Sequence, residues 1–283
     1  MIVSTLGMLA LGLVGQANQL TALPTGITQM VINADMPILV YRYEPKNYQH
    51  KRLIVVLHGT NRNADEYCDH ARVLGDKFGA LVIAPKFDTE RFPNWRYHRG
   101  GILDAKEMPQ LRSDWTFNAL KKIIKRVQLD EGPLKYWLIG HSAGGQFLNR
   151  MCAFDQDGAV GIIVANPGSV VFPRTDWEFA YGLGKLPGLL GSKDAVAKYL
   201  SQPMTFLCGT ADNKPDEYFD KSAPAMRQGG GRYQRAHNCF EFGKQLAREM
   251  NVPFGWRIVD VEGVGHSDEK MFAAQNIGDA FKL

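Results

Sequence analysis

The apolar run Tyr136 to Ile139 meets Gly140-His141-Ser142-Ala143-Gly144-Gly145 and passes directly into a helical pattern over Ala143 to Phe154. No other feature of the chain restricts its fold as much. A strand that turns this abruptly into a helix forces the residue at the turn into a strained backbone conformation. Small residues two before and two after it are then needed to avoid clashes. The letters fit G-x-S-x-G with Ser142 at the turn. Its Oγ is expected at the carboxyl edge of a sheet, beside helix N-terminal amides that favour developing negative charge. The competing reading of the same letters is a Gly-rich helix entry with a capping serine.

The rest of the chain supplies the sheet that such a turn needs. Gln29 to Asn33 and Ile38 to Tyr43 read as two short strands, an antiparallel start. Leu53 to Leu57 is apolar throughout, as suits a strand covered on both faces. Asn63 to Phe78 reads as a helix and Ala80 to Ala84 as the next strand. Trp115 to Val127 is amphipathic, with Phe117, Leu120, Ile124 and Val127 on one face and Lys121, Lys122, Lys125 and Arg126 on a solvated one. Ala159 to Ala165, Met204 to Cys208 and Trp256 to Val261 are further strands. Helices are expected at Asp194 to Leu200, Tyr233 to Met250 and over most of Asp268 to Phe281. This alternation specifies an α/β chain with a mostly parallel, doubly wound sheet and helices on both faces. Two long segments interrupt it, Lys86 to Arg112 and Asn166 to Gln202, and loops of that length are often functional.

A serine hydroxyl is a poor nucleophile at neutral pH and needs a base, which in turn needs an orienting acid. Around an elbow of this kind the chain order is Ser, then Asp or Glu, then His. Only His237 and His266 follow Ser142. His237 lies inside an expected helix, as a surface or packing residue. His266 lies in Gly263-Val264-Gly265-His266-Ser267, just after the last strand, and is the expected base. Met204 to Cys208 runs into Gly209-Thr210-Ala211-Asp212, which makes Asp212 the expected acid ahead of Asp216 and Asp220. The oxyanion donors are expected to be the amide of Ala143 and that of Thr60, or else of Asn61, in the loop after Leu53 to Leu57. His58 in that loop is read as structural, and the His141 side chain is expected to point away from substrate. Neither has carboxylate or cysteine neighbours at ligand spacing, so no metal and no cofactor are expected.

These residues together resemble the α/β-hydrolase fold. The segments His58 to Asp65, Arg91 to Arg96, Gly140 to Phe147 and Gly263 to His266 resemble a bacterial branch near the poly(3-hydroxybutyrate) depolymerase and feruloyl esterase group. The resemblance implies hydrolysis of carboxylic esters through an acyl-enzyme and carries over Ser142, Asp212 and His266. A serine peptidase or acyltransferase with the same three residues is the nearest alternative, and a non-catalytic binding protein on a retained hydrolase fold is a more distant one. The expected partner is an ester substrate, either a small molecule or an oligomer. Trp95, Arg96 and Tyr97, with Phe92 and Arg99, are candidates for an aromatic, cationic substrate wall that would suit an aromatic acyl group or a substrate carboxylate. The same residues also read as a loop pinned by buried aromatics. Phe172, Trp177, Phe179 and Tyr181 suggest a short cap-like insertion around 167–202, in one hydrolase domain over 18–283.

Composition serves mainly to exclude. Lys plus Arg is 33 against 29 for Asp plus Glu, a balance too even for a nucleic acid partner. The uncharged stretch Ile2 to Gly15 is too short for stable membrane insertion and reads as part of a leader over 1–17, implying a secreted or periplasmic protein. The first basic residue is Arg42, so a cytoplasmic protein stays open. Cys68, Cys152, Cys208 and Cys239 permit disulfides without requiring them. The sequence does not indicate the oligomeric state.

Overall fold

The structure, a computed structural model, describes residues 23–155 and 158–282. The leader expected at 1–17 lies outside the described residues. Eight strands form one sheet: β1 (Ile27–Asn33), β2 (Pro37–Tyr43), β3 (Arg52–Leu57), β4 (Leu81–Pro85), β5 (Lys135–His141), β6 (Gly161–Ala165), β7 (Met204–Gly209) and β8 (Arg257–Val261). Their order across the sheet is β1-β2-β4-β3-β5-β6-β7-β8. β1 pairs antiparallel with β2, and β2 antiparallel with β4, while every later pairing is parallel.

The helices are α1 (Ala64–His70), α2 (Arg72–Phe78), α3 (Asn94–Tyr97), α4 (Thr116–Glu131), α5 (Ala143–Phe154), α6 (Lys193–Leu200), α7 (Ala223–Met226), α8 (Arg232–Met250), α9 (Asp268–Phe272) and α10 (Ile277–Phe281). Two expected helices are each divided. The one over Asn63 to Phe78 breaks at Ala71, whose ψ is −2°. The one over Asp268 to Phe281 breaks at a turn in which the Ile277 amide bonds Ala274 O. Apolar periodicity continues across such turns, so it does not report them.

The strands explain how both faces are covered. Along β3, Leu53, Val55 and Leu57 enter the core under α4, α5 and α8, whereas Ile54 and Val56 enter the core under α1, α2 and α10. With side chains alternating at period two and both faces dry, the strand has to be apolar at each of these five positions. Among the described residues, no helix is long and apolar enough to cross a membrane. The four cysteines are buried and form no disulfide among the described residues.

The parallel register brings the strand ends to one edge. Leu57 lies opposite Gly140, His141 opposite Ala165, Ala165 opposite Leu207, and Gly209 opposite Val261. The loops that leave β3, β5, β6, β7 and β8 therefore meet above the same carboxyl edge, where open α/β sheets bind ligands.

Candidate active site

Ser142 sits between β5 and α5 with φ 56° and ψ −114°, a conformation costly for any residue with a Cβ. Hydrogen bonds hold it there: Ser142 N donates to Ala165 O at 3.0 Å, and Gln146 N donates to Ser142 O at 2.9 Å. The flanking glycines are required by contact. A Cβ on Gly140 would lie 2.3 Å from Gly144 O, and one on Gly144 would lie 2.2 Å from Leu57 O.

The Ser142 hydroxyl donates to His266 Nε2 at 2.9 Å, and His266 Nδ1–H donates to Asp212 Oδ2 at 2.8 Å. His266 comes from the loop after β8 and Asp212 from the loop after β7. His237, the other histidine after Ser142, instead pairs with Asp260 at 2.8 Å on the far part of α8. Asp212 is only 3% exposed, and its second oxygen receives Arg232 Nη1 at 3.3 Å. Arg232 also grips Asp216 through both terminal nitrogens, at 2.8 and 2.7 Å. The Arg232 hydrogen bonds hold the Asp216 carboxyl below its ordinary range, against an opposing desolvation effect.

Asn166, the first residue after β6, joins the two loops. Its Oδ1 accepts from Gly209 N at 2.8 Å and its Nδ2 donates to Gly265 O at 3.1 Å. Behind the base, the His141 ring lies 4.6 Å from the His266 ring, and its Nδ1 is bonded to the Tyr67 hydroxyl at 3.0 Å. Burial, reinforced by His266, drives the His141 pKa well below the ordinary histidine value. His141 is thus a neutral platform against His266, and it borders the same cavity, although the sequence reading turned its side chain away from substrate. Arg232, Asn166 and Tyr67 were not singled out by sequence, since each acts through partners distant along the chain.

Opposite the elbow, Thr60 and Asn61 border the cleft, and their amides donate to no acceptor among the described residues. Ala143 is the first residue of α5, so its amide also lacks an intrahelical partner. Thr60 and Asn61 line the same cavity as Ser142. The loop is braced from below. His58 Nδ1 bonds Gly59 O at 3.0 Å, and its Nε2 accepts the Phe87 amide at 3.0 Å. Burial lowers the His58 pKa to about 3. Arg62, itself at φ 60°, donates to Phe87 O, Phe92 O and Asn94 Oδ1 at 3.1–3.2 Å.

The expected substrate wall needs correction. Tyr97 is fully buried; its hydroxyl donates to His58 O at 2.8 Å and its ring stacks on Phe87. Arg96 lies over Trp95 and Phe92 and donates to Arg91 O at 3.2 Å. None of Trp95, Arg96 and Tyr97 borders the two cavities beside Ser142. Asn94, His98 and Arg99 do so in their place. Asn94 and His98 are one helical turn apart and share a face, and residues 95–97 point elsewhere.

Among the described residues, one group has metal-ligand composition: Cys208, His237 and Asp260, with donor atoms within 4.8 Å of one another. Asp260 is already bonded by His237 and by the Tyr233 hydroxyl, and burial keeps the Cys208 thiol protonated.

No family model and no curated protein matches the chain. Solved structures do. Poly(aspartic acid) hydrolase-1 of Sphingomonas sp. KT-1 superposes with a TM-score of 0.83 at 27% identity, over 91% of this chain and 98% of that one. Siderophore hydrolase EstB of Aspergillus nidulans shares the fold alone, with a TM-score of 0.52 at 14% identity over 93% and 96% of the two chains. LpqC, the poly(3-hydroxybutyrate) depolymerase of Bordetella parapertussis, superposes with a TM-score of 0.79 at 30% identity, over 88% of each chain. The chain therefore belongs to the α/β serine hydrolase family that includes LpqC.

Proposed function

We propose that this protein cleaves carboxylic esters through an acyl-enzyme on Ser142, with His266 as general base, Asp212 as its orienting acid and the amides of Ala143 and Thr60, with Asn61 beside them, as oxyanion donors. The observation that carries the reading is the continuous chain of hydrogen bonds from Ser142 Oγ through His266 to Asp212, at 2.9 and 2.8 Å. Ser142 Oγ attacks the ester carbonyl carbon as its proton passes to His266 Nε2. The carbonyl π pair moves onto oxygen, where the free amides stabilise it. Collapse breaks the bond to the alcohol oxygen, which takes the proton from His266. Water then repeats the sequence on the acyl-enzyme, and the acid is released. Asp212 holds Nδ1–H in place and stabilises the imidazolium.

Labelling of Ser142 by a fluorophosphonate, together with release of p-nitrophenol from short acyl esters, tests the reading. Absence of both from folded protein overturns it. Amide cleavage by the same residues is the second reading, favoured by the likeness to a hydrolase of poly(aspartic acid), a polyamide. Faster turnover of p-nitroanilides than of the matching esters would establish it. Residues 18–283 are read as one hydrolase domain with a cap-like insertion around 167–202. A leader over 1–17 and export from the cytoplasm belong to the same proposal.

A further inference from the structure

Two cavities open from Ser142, and their charges are opposite. One, of about 290 Å³, runs between α3 and α5 and is walled by His98, Arg99, Gln146 and Arg150. The other, of about 320 Å³, contains His266 and is bordered by Asp216, Glu217 and Asp268, with no lysine or arginine.

The first cavity holds two cations, Arg99 and Arg150, that make no ion pair among the described residues. Arg150 is 1% exposed. Its Nη1 donates to Gln146 O and Ser169 O, and its Nη2 to Ser169 Oγ and Ala180 O. All four acceptors are uncharged, and its Nε has no partner. Burial lowers the Arg150 pKa to about 10, and the neighbouring positive charge of Arg99 pulls in the same direction. Arg99 is half-buried and makes no ion pair or side-chain hydrogen bond among the described residues. The buried Nε2 of His98 is also unpartnered. Arg232 reaches this cavity too, but Asp212 and Asp216 already neutralise it. The one carboxylate in the wall, Asp220, accepts from the Tyr181 hydroxyl at 2.9 Å and from Ser222 N at 3.0 Å; it makes no ion pair with Arg99 or Arg150, and its charge offsets theirs only in part. A buried cation without a counter-charge is costly, and such groups are normally paired.

We propose that this cavity is a subsite for a carboxylate carried on the acyl part of the substrate, with Arg99 and His98 as its direct ligands and Arg150 as the buried charge behind them. The side of the scissile bond follows from the chemistry. The departing alcohol must take its proton from His266, so it lies in the cavity that contains His266. A carboxylate there would face Asp216, Glu217 and Asp268. The acyl group occupies the other cavity and meets Arg99 and Arg150. Preferred substrates are thus half-esters of dicarboxylic acids, or oligomers whose acyl unit bears a carboxylate. The proposal rests on the ester-cleavage reading above.

The test compares mono-p-nitrophenyl adipate with p-nitrophenyl heptanoate on the full chain. Charge-assisted bonds to a bound carboxylate predict a preference for the adipate of roughly tenfold to a hundredfold in kcat/KM. Arg99→Gln should reduce that preference about tenfold, chiefly through KM, and raising the salt concentration should erode it. Free glutarate should also protect Ser142 from the fluorophosphonate, a readout that needs no turnover. Equal turnover of the two esters, no protection by glutarate, or a preference unchanged by Arg99→Gln would overturn the subsite. Turnover of the heptanoate without a preference removes the subsite alone, whereas failure of both esters and of labelling removes the ester reading with it.

Discussion

Acidification to about pH 5 should destabilise this protein through histidines that its fold keeps neutral. His58 and His141 are buried, and His98 is largely enclosed. Desolvation lowers the His58 and His98 pKa to about 3 and takes that of His141 well below the ordinary value. In the unfolded chain each returns to about 6.5, so below that pH the unfolded state binds protons that the folded state refuses. The stability these groups confer is complete above about pH 6.5 and is lost as the pH falls toward about 3. The loss grows by about 1.4 kcal/mol per pH unit for each histidine, or about 2 kcal/mol each at pH 5. His58 and His98 together then remove about 4 kcal/mol, a large part of the stability of an ordinary domain. Carboxylates held down by partners, such as Asp88, Asp216 and Asp220, add to the loss only at lower pH. Urea unfolding at steps from pH 7.5 to 4.5 measures the slope. His98 Nε2 has no hydrogen-bond partner, so His98→Gln is the mildest way to remove one of the three groups. Whatever it does to absolute stability, it should lower the slope by one proton's share. Flat stability between pH 7 and 5, or an unchanged slope in His98→Gln, would refute the reasoning.

Asp212→Asn should lower kcat by about 10⁴-fold with little change in the fold, because the imidazole then rests in the wrong tautomer; steady-state kinetics with circular dichroism check this. Asn166→Ala should lower kcat by roughly ten- to a hundredfold with a smaller change in KM, since a displacement of about 1 Å at the reacting groups has effects of that size. Gly144→Ala sets a Cβ 2.2 Å from Leu57 O and should cost roughly 3 kcal/mol or prevent folding, as read from thermal unfolding. If the leader is cut, mass spectrometry of the exported protein will show a chain beginning at Asn18. A cytoplasmic chain retaining Met1 would refute export.

The fold was legible where the chain carries its own periodic signal. β3 is apolar from Leu53 to Leu57 because both of its faces are covered there, and α5 begins and ends where the Gly-Ser-Gly turn and the apolar pattern indicate. Ser142, Asp212 and His266, picked out by chain order and by their loops at strand ends, do meet in hydrogen bonds. Composition drew attention to the right segment of the Lys86 to Arg112 loop without giving side-chain directions. There, α3 turns Tyr97 into the core and leaves Arg99 at the cavity. Arg232 and Asn166 were not legible for another reason. An arginine opening a helix and an asparagine after a strand are ordinary in sequence. Their meaning arises only when loops from opposite parts of the chain converge on them.

Asn166 makes the end of β6 a common anchor for the site. One amide side chain is bonded to both the acid loop and the base loop, at Gly209 and Gly265, while Ser142 belongs to the elbow. The chain neighbour of Asn166, Ala165, accepts the Ser142 amide, so two consecutive residues tie the elbow to those loops as well. The loops that carry Ser142, His266 and Asp212 are therefore all held from one point at the end of β6.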